Sequence, residues 1–375
     1  MEEWSVAHKV ALWGFLGAVV FGVVGNRTQF CTMGAISDWI NMGSLARFRS
    51  WLLAMGVALL AAQAMQAADW VDLSASMYLS SRLGLAGHIV GGFLFGIGMT
   101  LGAGCGQRTL VRVGGGNLKS LVVLLILGLT AYMTLRGLLA VVRIEVIEPL
   151  SIGVTEYGLA DQSLGTLIAW AIGADTGTTS IVVSLLIGLG LIWFAAKDRV
   201  FRASRDDIIS GLVVGLLVAG AWYVTGVIGN DDFEPVRIET LTFIAPVGNA
   251  LNYLMTWTGS TIGFGVAVVF GVLTGSLGYS VISGRFRIET FATRADMLNH
   301  LYAGVLMGFG GVLSLGCTIG QGVGGLSTLS LGSFVTIIFI VFGSALTIKV
   351  QYYGLDDPFL KSLRQSLQDL RLLPK

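Results

Sequence analysis

Nine stretches of this chain are apolar over about the 20 residues that a helix needs to cross the hydrocarbon core of a bilayer. They are 7–25, 48–67, 83–104, 118–142, 177–196, 207–228, 259–282, 298–316 and 330–349. In lipid every backbone polar group must be satisfied within the protein, so such runs fold as helices. They lack the two-residue alternation of a membrane barrel. Charged residues make up 12% of the 375, about half the share of a soluble domain. Lysine plus arginine exceed aspartate plus glutamate by one. No basic domain exists for a polyanion, so soluble-enzyme and nucleic-acid-binding classes are excluded. The first run is not followed by a small-residue cleavage site and reads as a spanning helix rather than a signal peptide.

Five shorter apolar pieces, 29–37, 105–113, 164–174, 243–254 and 318–327, are too short to span. They predict half-helices or re-entrant turns. Glycine, 53 residues of the chain, permits both close helix packing and irregular backbone around a polar cavity.

Basic residues orient the chain. With the N-terminus outside and nine crossings, 18 of the 23 basic residues fall on the inner side. Acidic clusters at Glu2-Glu3, Asp69/Asp72, Glu145–Asp161 and 231–234 fall outside. The tail 351–375 carries Leu360, Leu363, Leu367 and Leu370 at helical spacing and is expected to lie along the inner membrane surface or to be only partly ordered.

An internal repeat is the strongest signal. His88, Gly92, Gly96, Gly98, Gly104 and Cys105 recur as His300, Gly304, Gly308, Gly310, Gly316 and Cys317 at one offset of 212. By the nine-crossing count the copies run in opposite directions. The fold predicted is an all-α polytopic membrane protein: repeat A over about 7–142, a connector over about 164–196, and repeat B over about 207–349. Inverted repeats build transport paths with a site near the midplane.

All three cysteines sit in glycine-rich breaks: Cys31 before Gly34, Cys105 between Gly104 and Gly106, and Cys317 between Gly316 and Gly320. Freed amides and half-helix N-termini favour an anion. A soft thiol beside them suits a sulfur-bearing anion more than a hard oxyanion, which draws Arg or Lys clamps. A lone cysteine in a membrane helix is ordinarily a packing residue. Two at matched repeat positions point instead to a lined path, whereas for Cys31 both readings stay open. Gln107, Thr318 and Gln321 flank the cysteines. Arg108 and Arg112 could hold an anion at the inner exit or anchor the chain by the positive-inside rule. Arg136 is a charge inside an apolar run, functional or snorkelling. His8, His88 and His300 lie far from the cysteines along the chain, so no metal site is expected, and no cofactor or catalytic motif is present.

At these residues the chain resembles the YeeE/YedE family of bacterial inner-membrane proteins. The motifs are Phe30-Cys31-Thr-Met-Gly-Ala35 with Asp38, Gly98-Met-Thr-Leu-Gly-Ala-Gly-Cys105-Gly-Gln-Arg108, Gly248-Asn249 with Met255-Thr-Trp-Thr-Gly259, and Gly316-Cys317-Thr-Ile-Gly-Gln321. The resemblance implies thiosulfate uptake by an hourglass-shaped helical body with re-entrant helices, with Cys31, Cys105 and Cys317 along a central path and Asn249 among its residues. It also implies a cytoplasmic sulfurtransferase partner. Two alternatives accompany it: a platform relaying sulfur as persulfide, and a selenium-linked transport component.

Overall fold

The computed structural model describes residues 5–231, 233–354 and 358–370. Glu2-Glu3, Asp232 of the acidic cluster, and tail residues 355–357 and 371–375 lie outside them. The described chain is almost entirely helical. In order, it forms α1 (Val6–Thr28), α2 (Thr32–Met42), α3 (Ala46–Ala67), α4 (Leu85–Leu101), α5 (Gly106–Gly114), α6 (Leu118–Arg136), a short α7 (Leu138–Val142) and α8 (Leu164–Ile172). There follow α9 (Thr176–Ala196), a short α10 (Arg199–Ala203), α11 (Arg205–Tyr223), α12 (Ile244–Met255), α13 (Phe264–Ile282), α14 (Arg294–Leu313), α15 (Leu331–Tyr353) and α16 (Phe359–Asp369). The two strands, β1 (Arg82–Leu83) and β2 (Ile152–Gly153), form an antiparallel pair in the connections.

Each apolar run became a long helix. Eight segments are long and apolar enough to span a membrane; α14 has the length, but Asp296, Asn299 and His300 dilute its first turns. The chain is a multi-pass membrane protein. The short pieces became α2, α5, α8, α12 and a wide helical turn, Gly320–Gly325. Boundaries follow local chemistry. Asn117, Ser163, Asp175, Asp198, Ser204 and Thr293 each accept an amide of the first turn of the helix they precede.

Packing follows the glycines. α1 crosses α13, α3 crosses α11, α4 packs on α15 and α14, and α14 packs on α6. A Cβ on Gly96 would stand 2.3 Å from the Ile340 carbonyl, and one on Gly308 would stand 2.6 Å from that of Leu127. Only glycine lets these backbones touch. Connections that share a sign in the basic-residue pattern also meet: Arg27 pairs with Asp206, Arg49 with Asp198 and Lys119 with Asp296, and Leu164 N–H donates to Leu329 O.

Arg136 ends α6 and is exposed, which agrees with the snorkelling reading of it rather than with a charge held inside the bundle. The tail helix α16 packs on α15, with Ser362 and Ser366 buried, Leu363, Leu367 and Leu370 half-buried and Leu360 exposed. Asp369 pairs with Lys349 at 3.3 Å and ties the helix to that end of α15.

Candidate functional site

The three cysteines stand at equivalent backbone positions, each just before a helical segment. Cys31 precedes α2, Cys105 precedes α5, and Cys317 precedes the turn that leads into Gly320–Gly325. The backbone N–H three residues on points at each sulfur: Gly34 at Cys31, Arg108 at Cys105, and Gly320 at Cys317, the last at 3.4 Å. Cys31 and Cys105 thus stand at the N-cap positions of α2 and α5, and Cys317 just ahead of its helical turn, each at the positive end of a short helical segment; only the Cys317 sulfur accepts a hydrogen bond from that amide.

The two repeat breaks share one closing geometry. Gly104 N–H donates to Met99 O and Gly316 N–H to Gly311 O, at 2.9 and 2.8 Å. Ala103 and Leu315 sit in the left-handed region at φ 51° and 60°. That conformation is uncommon for residues with a side chain, so its occurrence at both matched positions marks a shared device.

The breaks converge. All three cysteines are buried and unbonded to one another as disulfides. The Cys31 and Cys105 thiols face each other, and the hydroxyl of Thr318, beside Cys317, lies against Cys105. Gln107 Nε2 donates to Phe30 O at 2.9 Å and locks the first two breaks together. Gln321 does the same within its own arm: its amide donates to Ser314 O and its oxygen accepts from Ser333. Gly104, Gly106 and Gly316 are all buried at the turns. Asn249 is not brought to this cluster. It lies on α12, whose Gly248 and Ala250 face inward, and its own side chain is exposed.

Among the described residues, eight buried polar side-chain atoms lack a hydrogen-bond partner. Five of them crowd these breaks: Thr32 Oγ1, Trp51 Nε1, Tyr78 Oη, Gln107 Oε1 and Thr318 Oγ1. Trp51 belongs here because its ring stacks on Phe30 at 5.7 Å and fills the space beside Gly322. Each orphan costs about 1–3 kcal/mol. A cluster of them is the mark of a place built for a polar visitor.

On one side Arg108, itself buried, reaches back to the Gly25 carbonyl at 3.3 Å and to the Gln29 side-chain oxygen. It forms the floor of a cavity of about 490 Å³ that opens past Arg112, Lys119, Arg285 and Arg287, with Glu289, Asp296 and His300 as its acidic and titratable members. On the other side Cys317 faces neutral groups: the Thr242 hydroxyl and the amides of Phe243, Ile319 and Gly320. Beyond lies Glu239, in the connection between α11 and α12. Burial pushes its carboxyl up to about 7 against the pull of Arg237.

A family model described as sulphur transport matches residues 27–346, which contain all three breaks. The chain belongs to the sulphur-transport family. Within it, the chain is 23% identical over 357 residues to a thiosulfate transporter, TsuA, of Escherichia coli (strain K12), an alignment covering 89% of this chain and 93% of that protein. It is 25% identical over 340 residues to the thiosulfate transporter TsuA of Spirochaeta thermophila, covering 89% and 97%. A probable transporter of Xylella fastidiosa is 40% identical over 81 residues, 21% of this chain and 58% of that one. Membership places the chain among transport proteins rather than enzymes.

Sequence reasoning reached the cysteines, Gln107, Arg108 and Gln321. It missed Tyr78, Thr242 and Gln29. Gln29 carried a signal, since it opens the short piece 29–37 two residues before Cys31. Tyr78 and Thr242 lie in polar connections and nothing local marks them.

Proposed function

We propose that this protein takes up thiosulfate, or a closely related sulfur-containing anion, across the bacterial inner membrane. The N-terminus is periplasmic and the C-terminus cytoplasmic, and the two repeats are inverted halves of an hourglass. The observation that carries the reading is the convergence of three sequence-distant breaks: the Cys31 and Cys105 thiols face each other and the Thr318 hydroxyl beside Cys317 lies against Cys105, amid buried polar atoms that have no partner. Soft thiols suit the terminal sulfur of the ion, and amides and hydroxyls suit its oxygens. The path runs Cys317, then Cys105 and Cys31, then Arg108 and the basic cavity, with Gly104, Gly106, Gly316, Gln107, Thr318 and Gln321 shaping the breaks. Contacts of this kind are weak and several, as conduction requires. The basic cavity is the docking place of a cytoplasmic sulfurtransferase that consumes the ion.

Uptake of radiolabelled thiosulfate by proteoliposomes holding the purified chain tests the reading. Saturable uptake, resisted poorly by excess sulfate, is expected; no uptake above empty vesicles contradicts it. Mass spectrometry of the protein after turnover separates passage of the intact ion, which leaves the thiols unmodified, from sulfur relay, which leaves a persulfide.

A further inference from the structure

Tyr78 lies in the connection between α3 and α4, away from the repeat motifs, yet its side chain ends beside Cys317. Its ring is 1% exposed and packs edge-on against Trp222, with centroids 6.2 Å apart. Trp222 is in turn fixed by its indole N–H, which donates to Ser327 Oγ at 2.9 Å. The ring is thus locked, while the hydroxyl at its tip has no hydrogen-bond partner. Buried phenol hydroxyls ordinarily find one.

Gly320 shows where that hydroxyl points. A Cβ on Gly320 would come within 3.3 Å of Tyr78 Oη and 2.6 Å of Thr242 Oγ1. The amide of the same residue points at Cys317 Sγ. Three groups therefore surround one glycine: a thiol, a hydroxyl already against that thiol, and a phenol with a proton to donate. The Thr318 hydroxyl, also without a partner, sits on the side toward Cys105. The charges that act on the phenol are Glu239 and Arg237, an opposite pair.

We propose that Tyr78 is an anion-binding residue of the path, its hydroxyl donating to an oxygen of an oxyanion whose sulfur rests against Cys317. The inference rests on the transport reading above and adds to it a selectivity: the station at Cys317 takes ions that carry both a soft sulfur and a hydrogen-bonding oxygen. A neutral donor here also keeps binding weak, so that the ion moves on toward Arg108.

Tyr78→Phe removes one oxygen and leaves the ring packed on Trp222. Two measurements on the full-length protein decide the matter: thiosulfate uptake kinetics in proteoliposomes, and the thermal midpoint of the ligand-free protein in detergent. The expected result is a KM raised about tenfold, the effect of losing one hydrogen bond to a charged ion, with a ligand-free midpoint unchanged or raised, because a buried unpaired hydroxyl has gone. An unchanged KM overturns the proposal. So does a raised KM accompanied by a lowered ligand-free midpoint, which is the mark of a structural role. A wild type that takes up no thiosulfate overturns the transport reading itself, and the inference with it.

Discussion

The arms that carry Cys105 and Cys317 are built alike in backbone and unlike in charge. Both end a spanning helix with the same closing hydrogen bond, put a left-handed residue two places before the cysteine, and aim an amide at its sulfur. The Cys105 arm then places a buried arginine at the mouth of a basic cavity, whereas the Cys317 arm offers hydroxyls and amides. The two arms share a backbone, and the flanking residues give them different charge. On the proposed path an anion would move downhill from the neutral station to the cationic one and leave through the cavity beyond Arg108.

The comparison breaks most readily at Arg108. Arg108→Met removes the only buried cation beside Cys31 and Cys105 among the described residues, and orphans the Gln29 oxygen and Gly25 carbonyl. Uptake is expected to fall roughly ten- to hundredfold, from the loss of charged hydrogen bonds worth about 1.5–3 kcal/mol. Arg108→Lys restores part of it. Equal uptake by the methionine variant would erase the distinction between the arms.

The matched histidines give a smaller contrast. His88 is buried and bonded to Thr336 Oγ1 at 2.7 Å, whereas its counterpart His300 faces the basic cavity and pairs with Asp296 at 3.1 Å. His88→Leu is expected to cost about 1–3 kcal/mol of stability with uptake per folded molecule preserved. His300→Leu should cost less, because water and a mobile carboxylate replace its contacts. Thermal unfolding of the two variants side by side checks this.

The smallest effect expected is a pH dependence from Glu239. Its carboxyl is neutral below about 7 and negative above, facing Arg237 and the Tyr78 hydroxyl near the Cys317 station. Because burial favours the neutral form, ionisation above about 7 sets a negative charge beside an anion path. Thiosulfate uptake should therefore decline modestly as outside pH rises through that value, and Glu239→Gln should flatten the profile.

The spanning helices were legible because some 20 apolar residues in a row leave few folding choices. Even α14, with its polar first turn, was readable through the repeat. The half-helices were legible because length alone bars them from spanning. The N-cap position of the thiols was not, because cysteine is no ordinary cap and the position depends on where the helix begins. Asn249 was misplaced for a related reason: a motif gives its identity but not which face of α12 it takes. Tyr78 was invisible, since its importance comes from a contact with a break some 240 residues away.

The most direct test of the account is thiosulfate uptake by proteoliposomes carrying the Cys105→Ala, Cys317→Ala and double variants, each verified as folded by its thermal midpoint. The account predicts uptake at the level of empty vesicles for the double variant and severe loss for each single one. A folded double variant that transports at the wild-type rate would show that the ion takes another route.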